Sequence, residues 1–528
     1  MPVPHRIRRQ RWEVRVPDKA AGFAARAQLR SALEDSLLPA MSAAFDAVCG
    51  DDEIIHIPRL TLHIRLGKIE ALATDLPEQL PALLREQIEA ALAGRSPEGG
   101  AVRHIQRAAG RRNTVMHYLQ SGHLAWYDAP TDVSDTTPDL AALLRQEALP
   151  LASQWLRGPG VLQRSLPRDF DTCVAFLFRF LQLLPEALRT EWVPAMLDRA
   201  PDAASVLRWR YPLHAFLGSV QISEVPTHSL MLAQAATLAQ LWVGSPPSSM
   251  QALRALIAPL SGIPAVLLDL LDEPLAMRPD HLLAADSVRA PNPTRRDDPA
   301  QTTNAATQST EGMPDNAAAA MPAALPEAEA PHAAQNLPPL AIATTLPRDE
   351  DSTDTQLGLR VASAGLVLAH PFLSSLLLEC RLLDDKEIPV AKLPRAAALL
   401  HWLAWSRDEV HEFELGFIKP LLGLSPDAAL AVSPGLIDDT DKAECAALLS
   451  AMVSHWPALR STSAEGLQTT FLQRTGLLRP ISNGPQEGWQ LQPEPRPFDM
   501  LLGQLPWSIS IVRLPWMTRP IFTDWPTP

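Results

Sequence analysis

Apolar residues near the N-terminus follow two different periods. Residues 9–16 and 54–66 carry apolar side chains at every second position, as Leu62 and Ile64 illustrate, which is the pattern of a half-buried strand. Between these stretches, apolar residues recur at helical spacing, and Pro39 is expected to kink or split that helix. The order strand, helix, strand predicts a small α/β unit over residues 1–100, with the two strands paired.

The next part of the chain, residues 101–289, reads as a set of short helices. Apolar clusters at 173–184, 196–207 and 230–243 have helical spacing. Prolines separate them, at positions 167, 185, 201 and 226. Because a proline rarely continues a helix, the pattern predicts a helical bundle or array with short connections.

The C-terminal part changes from helical to irregular. Residues 357–485 contain helical patterns, of which 365–383, 395–405 and 444–453 are the clearest. Residues 486–528 are rich in tryptophan and proline, and two pieces, 488–491 and 507–512, alternate as strands do. The sequence therefore predicts a helical domain that ends in a strand-and-turn module.

Residues 290–356 differ from both neighbours. These 67 residues contain ten prolines, sixteen alanines and ten acidic side chains against three basic ones, and no Phe, Trp or Tyr occurs from Val243 to Pro371. A segment with so little apolar surface cannot compensate for the entropy lost on ordering. We therefore expect residues 290–356 to be a disordered acidic linker. It would join the N-terminal α/β unit and the helical middle domain to the helical C-terminal domain, and the fold as a whole is expected to be mainly α.

Charge and cysteine content exclude several classes of function. The net charge of −13 argues against a general nucleic-acid binder. The four cysteines are far apart and form no CxxC pair, which excludes a disulfide framework and a cysteine-based zinc site and is typical of a reducing cytoplasm. The basic N-terminus has no apolar run behind it and is not expected to be a secretory signal.

One uncharged stretch, Val361–Leu378, is long enough to cross a bilayer. It contains a central His370-Pro371 pair and three serines. A buried helix of a soluble domain is the favoured interpretation. Insertion into a target membrane is the alternative.

No catalytic motif is present. The chain lacks the phosphate-binding, dinucleotide-binding and nucleophile-elbow signatures. His411-Glu412 begins like a zinc-protease motif, but Leu415 stands where the second histidine is required. We expect neither a catalytic residue nor a bound cofactor or metal.

Two groups of residues are candidates for partner binding. The N-terminal arginines could form a docking patch for an acidic protein surface, and solvated positions are the other interpretation. The C-terminal tryptophans could anchor the chain to a partner, because tryptophan is enriched at binding hot spots, or they could fill the core of their own module. The candidates are Arg6, Arg8, Arg9, Arg11, Trp489, Trp507, Trp516 and Trp525.

Two parts of the sequence resemble a known family. The opening HRIRRQRWEVRV and the segments LRSALEDSLLPAMSAAFD and DDEIIHIPRLTLHIRLG are similar to the N-terminal region of contractile injection system tape measure proteins. The C-terminal half resembles the same family in AGLVLAHPFLSSLLLECRLL, RAAALLHWLAW, ELGFIKPLLGL, LQTTFLQRTGLL and GWQLQPEPRPFDMLLGQLPWSISIVRLPWM. The pieces follow the family's order.

The resemblance implies a non-catalytic structural role in a phage-tail-like particle. Members of the family are thought to set tube length and to link the tube to the baseplate during assembly, so tube and baseplate proteins would be the partners. Assembly would take place in the cytoplasm, and copies of the chain could associate. A membrane-active component and a helical adaptor unrelated to such particles are the alternatives.

Overall fold

The computed structural model describes residues 5–269 and 358–525, apart from gaps of which the longest are 94–101, 126–132 and 201–226. The predicted linker, 290–356, lies outside the described residues. The predicted fold class is confirmed: helices predominate, with a small sheet in the N-terminal region and strands at the C-terminal end.

Three clusters of buried apolar side chains organise the described chain. The N-terminal core draws on residues 25–84, the helical core mainly on residues 115–267, and the C-terminal core on residues 361–525. The helical core also includes Ala431 from the C-terminal part of the sequence. These three names are used below.

The N-terminal core is built on one long interrupted helix. Helix α1 (Lys19–Ala32) begins after Asp18, whose carboxylate accepts a hydrogen bond from the Ala21 N–H. A single wide turn, Leu33–Leu37, joins it to α2 (Leu38–Asp46). Pro39 lacks an N–H, and a widened turn is one of the recognised ways in which a helix accommodates such a disruption. Helix α3 (Asp75–Leu92) packs against α2.

The predicted pairing of residues 9–16 with 54–66 is wrong. Strand β1 (Glu53–His56) instead pairs antiparallel with β2 (Arg103–Gln106). Residues 10–16 and 60–66 belong to no sheet, although apolar side chains of both stretches pack against the N-terminal core. Their period of two therefore reflects burial on one side and not a ladder of hydrogen bonds.

The helical core has the predicted proline-bounded character. Helix α7 ends just before Pro185, and α9 begins directly after Pro226. Of the predicted helix at 196–207, only residues 196–198 belong to a helix, α8 (Glu186–Asp198). Residues 199–200 are not helical, and 201–207 lie outside the described residues. The helices are α4 (Arg107–Ser121), α5 (Val133–Arg157), α6 (Pro159–Ser165), α7 (Phe170–Leu183), α8 (Glu186–Asp198), α9 (Thr227–Trp242), α10 (Met250–Ile257) and α11 (Ala265–Asp269).

The C-terminal core contains the uncharged stretch. A short 3₁₀ segment, Ala364–Ala369, is wholly buried and leads into α12 (His370–Glu379). Among the described residues, no helix combines the length and the apolar character needed to cross a membrane. The remaining helices are α13 (Leu393–Trp405), α14 (Ile418–Leu421), α15 (Asp439–His455) and α16 (Ala464–Leu467).

A five-stranded sheet completes the C-terminal core. Its order is β3-β4-β5-β7-β6, and only β5 and β7 are parallel. The predicted strand at 488–491 is confirmed as part of β5, whereas only the last two residues of the predicted 507–512 strand join the sheet. The strands are β3 (Leu359–Val361), β4 (Gly476–Ile481), β5 (Gly488–Pro493), β6 (Ile511–Val512) and β7 (Ile521–Thr523).

Candidate assembly surfaces and the buried charge centre

Three fully buried charged side chains form a centre between the helical core and the C-terminal core. Arg179 lies on α7, Glu412 in a 3₁₀ turn and Lys419 on α14. The Arg179 Nε lies 3.1 Å from each Glu412 carboxylate oxygen, and its Nη2 lies 2.9 Å from Oε1. The Lys419 Nζ donates to the same Oε1 at 2.8 Å. We call these three residues the charge centre; each of their side chains is at most 1% exposed.

Backbone carbonyl groups accept further hydrogen bonds from Arg179 and Lys419 of the charge centre. The Arg179 Nη1 donates to the carbonyl oxygens of Leu119 and Gln120, both at 3.1 Å, and its Nη2 donates to that of Asp427 at 2.7 Å. The first two carbonyls lie at the C-terminal end of α4, where the helix dipole favours a positive charge. Lys419 donates to the Pro426 carbonyl at 3.0 Å.

Glycine is required where α4 meets the charge centre. Gly122 follows the last residue of α4 with φ of +74°, a conformation that side chains with a Cβ rarely adopt. A Cβ at this position would lie 2.5 Å from the Arg179 Nη2 and 2.7 Å from the Glu412 Oε1. The close approach of this backbone therefore closes the charge centre on one side.

The three charged groups of the charge centre shift each other's pKa values. Burial alone would raise the pKa of Glu412, but the charges of Arg179 and Lys419 outweigh it and hold that pKa below its usual value. Burial lowers the pKa of Lys419. The positive charge of Arg179 lowers this pKa further, whereas the negative charge of Glu412 raises it. Glu412 is consequently a carboxylate at neutral pH, and it links two parts of the chain that are 233 residues apart in sequence.

The turn that carries Glu412 contacts both cores. Phe413 packs against the helical core, with its ring centroid 6.2 Å from that of Tyr118. Glu414 turns toward the C-terminal core, where it pairs with Arg407 and accepts a hydrogen bond from the His411 N–H at 3.0 Å. The turn therefore lies where the two cores meet.

An open cleft of about 690 Å³ lies next to the charge centre. One wall comes from the end of α4 and the start of α7, and the other from residues 425–429 and strands β3 and β4. At its edge, the His123 Nε2 and the Asp427 Oδ1 are 3.1 Å apart, and we call these two residues the rim pair. The packing between the two cores is thus incomplete beside the charge centre.

A second buried ion pair holds the C-terminal end of the described chain on the C-terminal core. Arg474 and Asp499 are fully buried and 2.9 Å apart. The Trp525 indole N–H donates to the Asp499 carboxylate at 3.0 Å, and its ring lies 5.1 Å from the Arg474 guanidinium. Trp525 therefore fastens the last described residues to the core.

Replacing Trp525 with phenylalanine is expected to lower the free energy of unfolding by about 1.5–3 kcal/mol, because a hydrogen bond to a buried charge is lost. Replacing Trp507 in the same way should cost only about 0.5–1.5 kcal/mol, because its indole donates to the neutral Leu368 carbonyl and is half-buried. Urea unfolding of the two variants measures the difference. Equal losses would mean that the ion pair does not depend on Trp525.

The other candidate tryptophans also contact the chain's own core. Trp489, Trp507 and Trp516 are half-buried and pack against the C-terminal core, whereas Trp525 is buried. The Trp516 indole donates to the Leu421 carbonyl at 2.8 Å. The structure thus places all four rings on one core, with three of them partly accessible.

The model of a known protein family matches this chain. It describes the contractile injection system tape measure protein, and the match covers residues 4–525. The chain belongs to this family. Searches of curated proteins and of solved structures found no match. The family's proteins are structural components of injection particles, so the surfaces of this chain are its candidate functional sites.

The N-terminal arginines of this tape measure protein are not gathered into one described patch. Arg6 is half-buried, and Arg11 is exposed and lies 2.7 Å from Glu13. Arg8 and Arg9 lie outside the described residues. Their role in binding an acidic partner stays a prediction.

Sequence reasoning missed two features of this tape measure protein. Phe498 and Met500 are 60% and 68% exposed in the tryptophan-rich module, although both are strongly apolar. The charge centre was also missed, although a lone Arg179 within the apolar run CVAFLFRFLQLL signals that a buried acceptor must lie nearby. Among the residues that the structure describes, no three His, Cys, Asp or Glu side chains are grouped as metal ligands would be.

Proposed function

We propose that this chain is a non-catalytic component that sets tube length and links the tube to the baseplate while the particle assembles. The observation that carries the proposal is the extent of the family match, residues 4–525, which includes all three cores. The family role therefore applies to the whole chain and not to one module. Assembly in the cytoplasm, followed by incorporation into the particle, belongs to the same proposal.

The C-terminal module is the proposed attachment to tube or baseplate components. Phe498 and Met500 flank the buried Asp499, so both are held outward by a side chain that is fixed in the core. Two exposed apolar side chains, one on each side of a residue that is fixed in the core, suit a protein partner. The half-buried rings of Trp489, Trp507 and Trp516 can extend this surface.

The N-terminal arginines are the proposed second contact. Arg11 is well exposed, and an exposed guanidinium favours an acidic protein surface. Association between copies of the chain is compatible with both contacts.

Residues 290–356 are the proposed source of length. Fully stretched, these 67 residues could reach about 220–240 Å, at about 3.3–3.6 Å per residue. Such a reach would match the role of a ruler only if the segment is held at both ends. The folded parts on either side supply those ends.

Replacing Phe498 and Met500 with serine should abolish co-sedimentation with tube or baseplate components and leave the thermal unfolding midpoint nearly unchanged. Surface substitutions usually alter stability by no more than about 0.5 kcal/mol, whereas hot-spot truncations commonly cost about 2 kcal/mol or more of binding. The matched control is Leu378→Ser, an apolar side chain that is 59% exposed elsewhere on the C-terminal core. Normal co-sedimentation of the double variant would exclude this surface as the attachment.

A further inference from the structure

The join between the helical core and the C-terminal core is unusually polar. Its centre consists of the three residues of the charge centre, all fully buried. Within the described part of the chain, the apolar residues that pack on the helical core from the C-terminal side are Phe413, Ala429 and Ala431. The cleft beside them shows that apolar packing is not continuous across the join.

We propose that the charge centre is a releasable latch, which holds the two cores together in the free chain and opens when the chain is extended in the particle. Charged side chains suit this task because they are strongly hydrated once exposed. An apolar join of similar size would leave exposed apolar surface after separation. A centre of hydrogen-bonded charges is therefore stable when it is buried, and its side chains are readily hydrated when it opens.

The course of the chain explains why an opening step is needed. Leu260, nine residues before the last described residue of the helical core, and Gly358, the first described residue after the gap, line the same cleft. The two cores therefore lie next to each other close to both ends of the intervening segment. While the cores are joined, the intervening residues cannot separate two distant points. The latch therefore rests on the proposed function as a ruler, since measuring a tube requires the flanking cores to move apart.

The rim pair allows the latch to be followed by cross-linking. Cysteines at positions 123 and 427 would replace side chains that touch across the join, with exposures of 20% and 61%. A control pair at positions 384 and 392 replaces an ion pair of 2.9 Å within the C-terminal core, with exposures of 63% and 35%. Cys49 is changed to serine, because the other native cysteines are buried.

A short thiol cross-linker is applied to the purified chain and to particles purified with the sheath extended. The latch predicts that the 123–427 cross-link forms in the free chain and that its yield in particles falls about tenfold or more, as a shift of the closed state to a minor population requires. The 384–392 cross-link should form equally in both. Equal 123–427 yields in both samples would overturn the latch, and so would loss of both cross-links in particles.

A second experiment tests whether the charge centre is what holds the two cores together. In the free chain, adding Glu412→Gln should lower the 123–427 yield and leave the 384–392 yield unchanged. An unchanged 123–427 yield, or a loss of both, would overturn that assignment. Absence of the chain from particles at every stage of assembly would contradict the proposed function instead, which keeps the two failures distinguishable.

Discussion

Replacing Glu412 with glutamine is expected to lower the free energy of the first unfolding step by about 3–5 kcal/mol. The amide has nearly the shape of the carboxylate but no charge. Arg179 would then keep a buried positive charge without its carboxylate partner, and Lys419 would lose the carboxylate that opposes the lowering of its pKa by burial. Urea unfolding at neutral pH, followed by circular dichroism, measures the effect.

The matched control is Glu409→Gln, three residues earlier. Glu409 is 61% exposed and pairs with His411 at 3.5 Å. An exposed pair of this kind contributes about 0–1 kcal/mol. If the two variants unfold alike, the charge centre does not hold the two cores together.

Replacing Gly365 with alanine is expected to cost about 3 kcal/mol or more, or to prevent recovery of soluble protein. A Cβ at this position would lie 1.7 Å from the Phe471 carbonyl oxygen. Overpacking costs about 1–3 kcal/mol when side chains can move aside, but here the obstacle is backbone, so a larger loss is expected. Thermal unfolding and the soluble yield measure it.

Gly503→Ala is the control for this substitution. A Cβ at Gly503 meets no atom within 4 Å. Its effect should stay within about 0.5 kcal/mol. A melting temperature for Gly365→Ala that equals that of the control would show that the two backbones do not approach as described.

The helices of this protein could be read from the sequence because their signals are local. Proline marks the end of α7 and the start of α9 within a residue or two, and the apolar spacing identifies the buried faces of the helices. The strands were harder. Residues 60–66 bury alternate side chains against helices, and the structure assigns no strand to them within the part of the chain that it describes. Their pattern alone could therefore not separate one-sided burial from a sheet.

Strand β4 is the opposite case: it is a strand that the sequence pattern did not predict, because it contains a proline. Pro480 argues against a central strand, since it cannot donate to a neighbour. In the structure β3 pairs only with residues 476–478, so Pro480 lies beyond the end of β3, where one edge of β4 has no strand partner in the described sheet. The proline is accommodated by the shortness of β3, which the sequence of β4 does not report.

The charge centre and the tryptophan contacts depend on partners that are distant in sequence. Arg179 and Glu412 are separated by 233 residues, and the Trp507 indole donates to a carbonyl 139 residues away. A buried arginine predicts that an acceptor exists, but local patterns cannot say which glutamate supplies it. The same limit applies to the tryptophan rings, because the indoles of Trp507, Trp516 and Trp525 bond to acceptors on distant segments of the chain.

Tube length is the measurement that tests the proposed function most directly. Particles would be assembled with the natural chain, with residues 290–356 deleted, and with the same 67 positions filled by an unrelated Pro- and Ala-rich sequence. Electron microscopy should show that the deletion shortens the tube, by up to about 220–240 Å for a fully stretched segment, and that the replacement keeps the natural length. Tubes of natural length in particles that have incorporated the deleted chain would contradict the account.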